Sequence, residues 1–221
     1  MTALLLITAA LLVPQEKNEA EELFKKMEEK IEKAKSVQVK LRGTVDDMEL
    51  SGALWLDEGG KVRIDVEGKS SRGSMTAAAI SDGKKARLDS SDRPAPRRFD
   101  VPETFDRLIR TSAARAGFVS SFEFFEGGER VKADPETAFV AKAFKLGVKE
   151  IVGDRDCQAV DYMVSRRGKD ASVTVWIDTG TFLPLKRVLK ADTKTLTETY
   201  AAFKLDEKID PAKFEFPKPE K

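Results

Sequence analysis

Ten short runs in this chain alternate apolar and polar residues with a period of two, and turn signals separate most neighbours. No other feature restricts the fold as strongly. A period of two gives each strand one dry and one wet face, and spacing this short leaves room mainly for hairpins. Five runs lie in the first half: "VQVKLRGTV" (Val37 to Val45), "LSGALWL" (Leu50 to Leu56), "KVRIDV" (Lys61 to Val66), "SMTAAAI" and "KKARLD". Asp57-Glu58-Gly59-Gly60 reads as one hairpin loop, and Asp82-Gly83 is a dipeptide suited to a type I′ turn. The second half carries "LGVKEIV", "CQAVDYMVS", "ASVTVWID", "LPLKRVLK" and "TLTETYAAFKL", with turn signals at Gly153-Asp154, Arg167-Gly168-Lys169, Thr179-Gly180 and Ala191-Asp192. The pattern predicts a meander of antiparallel strands.

Ahead of the strands, Ala20, Leu23, Phe24, Met27, Ile31 and Ala34 recur at spacings of three and four, one apolar stripe on an amphipathic helix from Asn18 to Lys35. Asn18 is placed to cap it, with Glu21 completing a capping box. The polar side mixes Glu and Lys evenly, which predicts packing on a sheet rather than on a membrane surface.

The stretch at about 90–145 breaks the alternation. Pro94, Pro96 and Pro102 punctuate a linker. Glu103 to Arg115 then carries Phe105, Leu108 and Ile109 at helical spacing, and Asp134-Pro135 is placed to cap a further helical turn. Eight of the thirteen phenylalanines fall between Phe99 and Phe144. So apolar an insertion must bury its rings, either completing a solid core or covering a cavity on the dry face of the sheet.

"ALLLITAALLV" (Ala3 to Val13) is too short to span a bilayer, which takes ~20 apolar residues, and fits the apolar core of a secretory leader. We expect a signal peptide over residues 1–15 and a single exported domain over residues 16–221, not membrane-spanning once the leader is removed. Lys+Arg 39 against Asp+Glu 38 gives a balanced surface, which argues against nucleic acid as a partner.

Chemistry is poorly provided for. Histidine is absent, which removes the commonest general base and metal ligand. The single cysteine, Cys157, therefore lacks an imidazole partner and reads as a buried or half-buried strand thiol. Asp46-Asp47 and the acids of "GDRD" (Gly153 to Asp156) fall at hairpin turns, where Asp bonds its own backbone. Arg97-Arg98 and Arg166-Arg167 read as solvated loop charges. No phosphate loop or metal-ligand spacing is present. We expect no enzyme, with no catalytic residue, cofactor or metal.

The order of four segments resembles the periplasmic lipoprotein-carrier superfamily (LolA/LolB-like), most of all its uncharacterised predicted-periplasmic branch. They are "GALWL" (Gly52 to Leu56), "SDGK" (Ser81 to Lys84), "VTVWIDTGTFLPLKRV" (Val173 to Val188) and "IDPAKFEFPKP" (Ile209 to Pro219). The resemblance implies an α+β fold: a large curved antiparallel sheet, an open half-barrel of about ten to eleven strands, with helices covering its concave face. It implies an apolar cavity for a lipid or lipoprotein acyl chain, and a closing strand in which Phe214 and Phe216 seal the sheet edge. Where lipoprotein carriers have a basic residue after the "LW" strand, this chain has Asp57 and Glu58. With the insertion as lid, the expected lining is Val39, Leu41, Leu54, Phe105, Leu108, Ile109, Phe122, Phe125, Val175 and Ile177. The function this implies is transport or binding of lipid. The alternative is an envelope sensor or scaffold that contacts envelope membrane proteins.

Overall fold

The computed structural model describes residues 18–166 and 168–217, so the apolar run at residues 3–13 and Arg167 lie outside the described residues. Eleven strands make one antiparallel sheet. They are β1 Ser36–Val45, β2 Met48–Asp57, β3 Lys61–Ser70, β4 Gly73–Asp82, β5 Lys85–Ser90, β6 Arg97–Asp100, β7 Val140–Val152, β8 Arg155–Arg166, β9 Lys169–Asp178, β10 Pro184–Ala191 and β11 Lys194–Leu205. The helices are α1 Glu19–Lys33, α2 Phe105–Ala116 and α3 Pro135–Ala138, with 3-10 turns η1 Val119–Glu126, η2 Gly128–Arg130 and η3 Pro211–Phe214.

The strand order is β6-β5-β4-β3-β2-β1-β11-β10-β9-β8-β7, two meanders joined where the first strand pairs with the last. The sheet is curved and unclosed, with β6 and β7 as its free edges. This order fixes the route of the insertion. The chain leaves the sheet at edge strand β6 and must re-enter at the opposite edge, β7. Neighbouring strands lie ~4.8 Å apart, so the intervening segment has to traverse the whole sheet, and it does so as α2, η1, η2 and α3 over the face that α1 also covers. The core between these layers holds Val37, Val39, Leu41, Leu54, Ile64 and Val175 from the strands against Phe24, Met27 and Ile31 of α1 and Leu108 and Ile109 of α2. Each fully buried side chain of this size contributes ~1.5–3 kcal/mol.

Helix α1 starts as its sequence suggests. Asn18 Oδ1 accepts from the Ala20 and Glu21 N–H groups at 3.1 and 3.3 Å. Glu21 also pairs with Lys25 at 2.6 Å, one turn ahead on the exposed face. At the other end Arg110 of α2 donates to the Ala34 and Ile31 carbonyls at 2.8 and 3.2 Å, tying the two helices together. Asp134 caps α3 through the Glu136 N–H at 3.1 Å.

Four local expectations need correction. The Pro-punctuated linker contains a short edge strand, β6, so the first half has six strands rather than five. Strand β7 begins at Val140, earlier than "LGVKEIV", and two bulges along it obscure the alternation in sequence. The Asp82-Gly83 hairpin forms, but Gly83 has φ 91° while Asp82 stays at negative φ, so it is not type I′. Asp82 Oδ1 instead accepts the Lys84 and Lys85 N–H groups, both at 2.8 Å. Finally, Phe214 and Phe216 are not on a strand. Asp210 and Pro211 start a 3-10 turn, with Asp210 Oδ1 accepting the Ala212 N–H at 3.0 Å. The turn packs on β3 and β4, with Phe214 buried and Lys213 over the Trp55 ring, and Phe216 and Pro217 beyond it share a pocket wall with residues 85–87 of β5 and 98–100 of edge strand β6.

Candidate functional site

Burial thins toward one end of the sheet. Along β1, Val37, Val39 and Leu41 are fully buried, whereas Val45 is only half-buried. At that end the helical layer does not fill the curve, and a cavity of about 540 Å³ opens. The first meander supplies its wall: Val45 of β1, Met48 and Leu50 of β2, Val66 of β3, Met75 and Ala77 of β4, and Leu88 of β5. Val119 and Phe122 of η1 form the cover. Gly68 of β3 lets the two methionines of the wall lie close over the sheet. A Cβ on Gly68 would sit 2.8 Å from Met48 Sδ and 2.9 Å from Met75 Cγ. Methionines are flexible and polarisable, suited to walls that adapt to variable apolar guests.

The rim is charged. Arg93, Arg97 and Arg130 converge on the Glu126 carboxylate at the end of η1. Arg93 Nη1 donates to Glu126 Oε2 at 3.0 Å and Arg93 Nη2 also donates to Oε1; Arg97 lies 3.0 Å and Arg130 3.9 Å away. The hydrogen bond from Arg93, only partly opposed by burial, holds the Glu126 carboxyl below its ordinary range, with the charges of Arg97 and Arg130 adding to it. Arg97 and Arg98 thus lie on β6 rather than in a loop, and Arg97 belongs to this cluster. Arg166, at the end of β8, contacts Glu123 and stacks over Phe139.

A buried polar clamp sets the position of the cover. Arg187 of β10 and Glu198 of β11 stand opposite each other in register, both 1% exposed. Arg187 donates to the Ala113 and Ala114 carbonyls at 2.7 and 2.6 Å, at the negative end of α2. Glu198 accepts the Phe118 and Val119 N–H groups at 3.1 and 2.7 Å, and the Tyr200 hydroxyl as well. Tyr162 donates to the Arg115 carbonyl at 2.6 Å, and burial pushes its hydroxyl up to about 12. Between the two anchored ends lies Gly117, at φ 99°, where a Cβ would meet Glu198 Oε2 at 2.5 Å. Only glycine fits this corner.

Of the ten residues expected to line a cavity, Phe122 stands on the wall of this one. Val39, Leu41, Leu54, Val175 and Ile177 lie in the main core, as do Phe105, Leu108 and Ile109 of α2. Phe125 is fully buried, its ring 5.5 Å from Phe105. Most of the aromatic cluster therefore packs as core, and the opening is confined to the strand ends. Met48 and Met75 carried the missed signal: methionines beside hairpin turns, where burial runs out. Among the described residues, no group of three or more Cys, Asp or Glu side chains is placed to hold a metal ion. Cys157 is buried, and burial, with the charge of Asp178 next, raises its thiol above the ordinary value.

The family described as "Predicted periplasmic protein (DUF2092)" matches residues 20–221, and the chain belongs to it. The protein is accordingly periplasmic or otherwise exported. No curated protein matches the chain. Among solved structures it is similar to LprF from Mycobacterium bovis, with 12% identity, 84% of this chain and 92% of that chain covered, and a TM-score of 0.49. It is also similar to the Mycobacterium tuberculosis lipoprotein LppX, with 11% identity, 86% and 98% coverage and a TM-score of 0.46. A LolA superfamily protein, NE2245 from Nitrosomonas europaea, shares 13% identity over 89% of this chain and 97% of that one, with a TM-score of 0.35.

Proposed function

We propose that this family member binds lipid without chemistry, taking one acyl chain into the mouth cavity beneath η1, and that it serves as a periplasmic carrier once residues 1–15 are removed. One observation carries this: a largely apolar space of about 540 Å³ at the end of the sheet where the helical layer stops short. Its size falls within the ~300–1,000 Å³ of small-molecule sites. Each buried methylene offers ~0.8 kcal/mol, so roughly eight of them would support binding in the tens of micromolar.

The test is thermal unfolding with a fatty acid or lipopeptide added, comparing the wild type with Gly68→Leu. At a ligand concentration ~100 times Kd the wild type should gain ~2.7 kcal/mol. Gly68→Leu would bring a side chain into collision with Met48 Sδ and Met75 Cγ, pushing the two methionines into the cavity they line, and should abolish the gain. No gain with any lipid in the wild type, or an equal gain in the variant, would overturn the proposal. Intact mass of the exported protein checks leader removal.

A sensor or scaffold role is the second reading, favoured by edge strand β7. Among the described residues, the exposed large apolar side chains, Val140, Leu146, Val148 and Ile151, all lie on it, with Val148 67% and Ile151 70% exposed. Lys142, Lys145 and Lys149 and the two bulges guard this edge against self-pairing. A protein partner lost on Val148→Lys with lipid binding intact would favour this role.

A further inference from the structure

We propose that the mouth selects an anionic headgroup, a carboxylate or a phosphate monoester, and that Arg130 is the residue that receives it. This rests on the acyl-binding function above and names the class of amphiphile the site takes.

The inference comes from following each charge at the rim to its partner. Glu126 takes Arg93 and Arg97 within 3.0 Å. Glu123, also on the cavity wall, is met by Arg166, although neither of its buried oxygens has a hydrogen-bond partner among the described residues. Glu129 pairs with Lys132 at 3.0 Å, and Asp92 accepts from the Ser90 hydroxyl beside Arg93. Arg130 is left over. It lies 3.9 Å from Glu126, beyond hydrogen-bond reach of a carboxylate whose two oxygens are already engaged. Its Nε is buried and has no hydrogen-bond partner among the described residues, while the side chain as a whole is 40% exposed. A guanidinium with a dry, unanswered N–H and an open outer edge is a fork awaiting an acid, because the planar donor pair matches a carboxylate or phosphate.

Its location makes the assignment specific. Arg93 and Arg130 line the same cavity as Val119 and Phe122, together with Asp92, Glu123 and Glu126, whose contacts are those just given. An acyl tail among Met48, Leu50 and Met75 therefore leaves its head at this arginine pair. The two glycines before it, Gly127 and Gly128, both at positive φ, turn the chain so that η2 doubles back toward Glu126. The sequence "EGGER" thus presents a guanidinium at the exit of an apolar pocket.

The experiment is displacement of an apolar fluorescent probe by dodecanoate, dodecyl phosphate and dodecanol, each below its micelle threshold. All three offer the same tail. In the wild type the two acids should bind roughly tenfold more tightly than the alcohol, as one charge-assisted hydrogen bond provides. That margin should shrink as salt rises. Arg130→Gln should bring both acids down to the level of the alcohol and leave the alcohol unchanged, and Arg130→Lys should restore part of the margin. A preference between the two acids identifies the headgroup as carboxylate or phosphate. Equal binding of acid and alcohol to the wild type, or a margin that survives Arg130→Gln, would overturn the inference while leaving acyl binding intact. Failure of all three to displace the probe would instead remove the acyl-binding function on which it rests. Alcohol binding by Arg130→Gln also reports that the variant is folded.

Discussion

Replacing Glu198 by Ala should be among the costliest single changes in this protein. The carboxylate serves three donors at once: the Phe118 and Val119 N–H groups and the Tyr200 hydroxyl. Phe118 is fully buried, so its N–H would find no water, a loss of ~1–3 kcal/mol. Arg187 opposite would keep its charge in a site 1% exposed without the favourable charge of Glu198. Removing one of two interacting buried charges costs up to ~3–5 kcal/mol. The two losses overlap, so we expect ~3–5 kcal/mol in total, or a fall in Tm of roughly 6–20 °C for a chain of this size. Glu198→Gln keeps the shape and one acceptor and should cost about half as much. Gly117→Ala should resemble Glu198→Ala, since its Cβ would displace the same carboxylate. Urea unfolding followed by circular dichroism measures the stability, and hydrogen exchange at Phe118 and Val119 reports whether η1 has come loose. A Glu198→Ala protein within about 1 kcal/mol of the wild type, with Phe118 still protected, would refute the anchoring role of the clamp.

Phe122 and Phe125 should part company: Phe125→Ser should cost ~3–5 kcal/mol as a core truncation, and half-buried Phe122→Ser should cost far less while weakening lipid binding, both read from denaturant midpoints. The rim should loosen in acid. The folded-state pKa of Glu126 is depressed, so its contribution is complete above the ordinary carboxylate range and is lost as pH falls through the folded value; exchange of η1 amides should rise there, and not between pH ~6 and 8. Cys157 should resist thiol reagents at neutral pH until the protein is denatured, and Cys157→Ser should cost ~1–3 kcal/mol; rapid labelling of the native protein would show the strand end to be open.

The periodicities by themselves determined the element types. Period-two runs became the strands they describe, and the stripe at Ala20, Phe24, Met27 and Ile31 became the buried face of α1, because face selection on a regular element is a local property of spacing. Asn18 and Asp134 likewise marked helix starts that are capped as expected, since a cap bonds within three residues. Long-range outcomes were decided elsewhere. Strand β6 exists because β5 offers it a free edge, not because "RRFD" alternates. Arg187 stands in phase with Leu189, and Glu198 with Leu196 and Tyr200, so spacing already puts both charges on the dry face. What makes them tenable there is that the insertion crosses from one edge of the sheet to the other and lays the α2–η1 corner on top of them. The cavity moved for the same reason. Mid-strand Val39, Leu54 and Val175 look no different in sequence from Val45 and Leu50, but only the latter stand where the helical layer ends. Spacing along a chain sets which side of a strand is dry. How far along the strand the dryness extends depends on what a distant segment covers, and that was fixed only when the two meanders closed on β1 and β11.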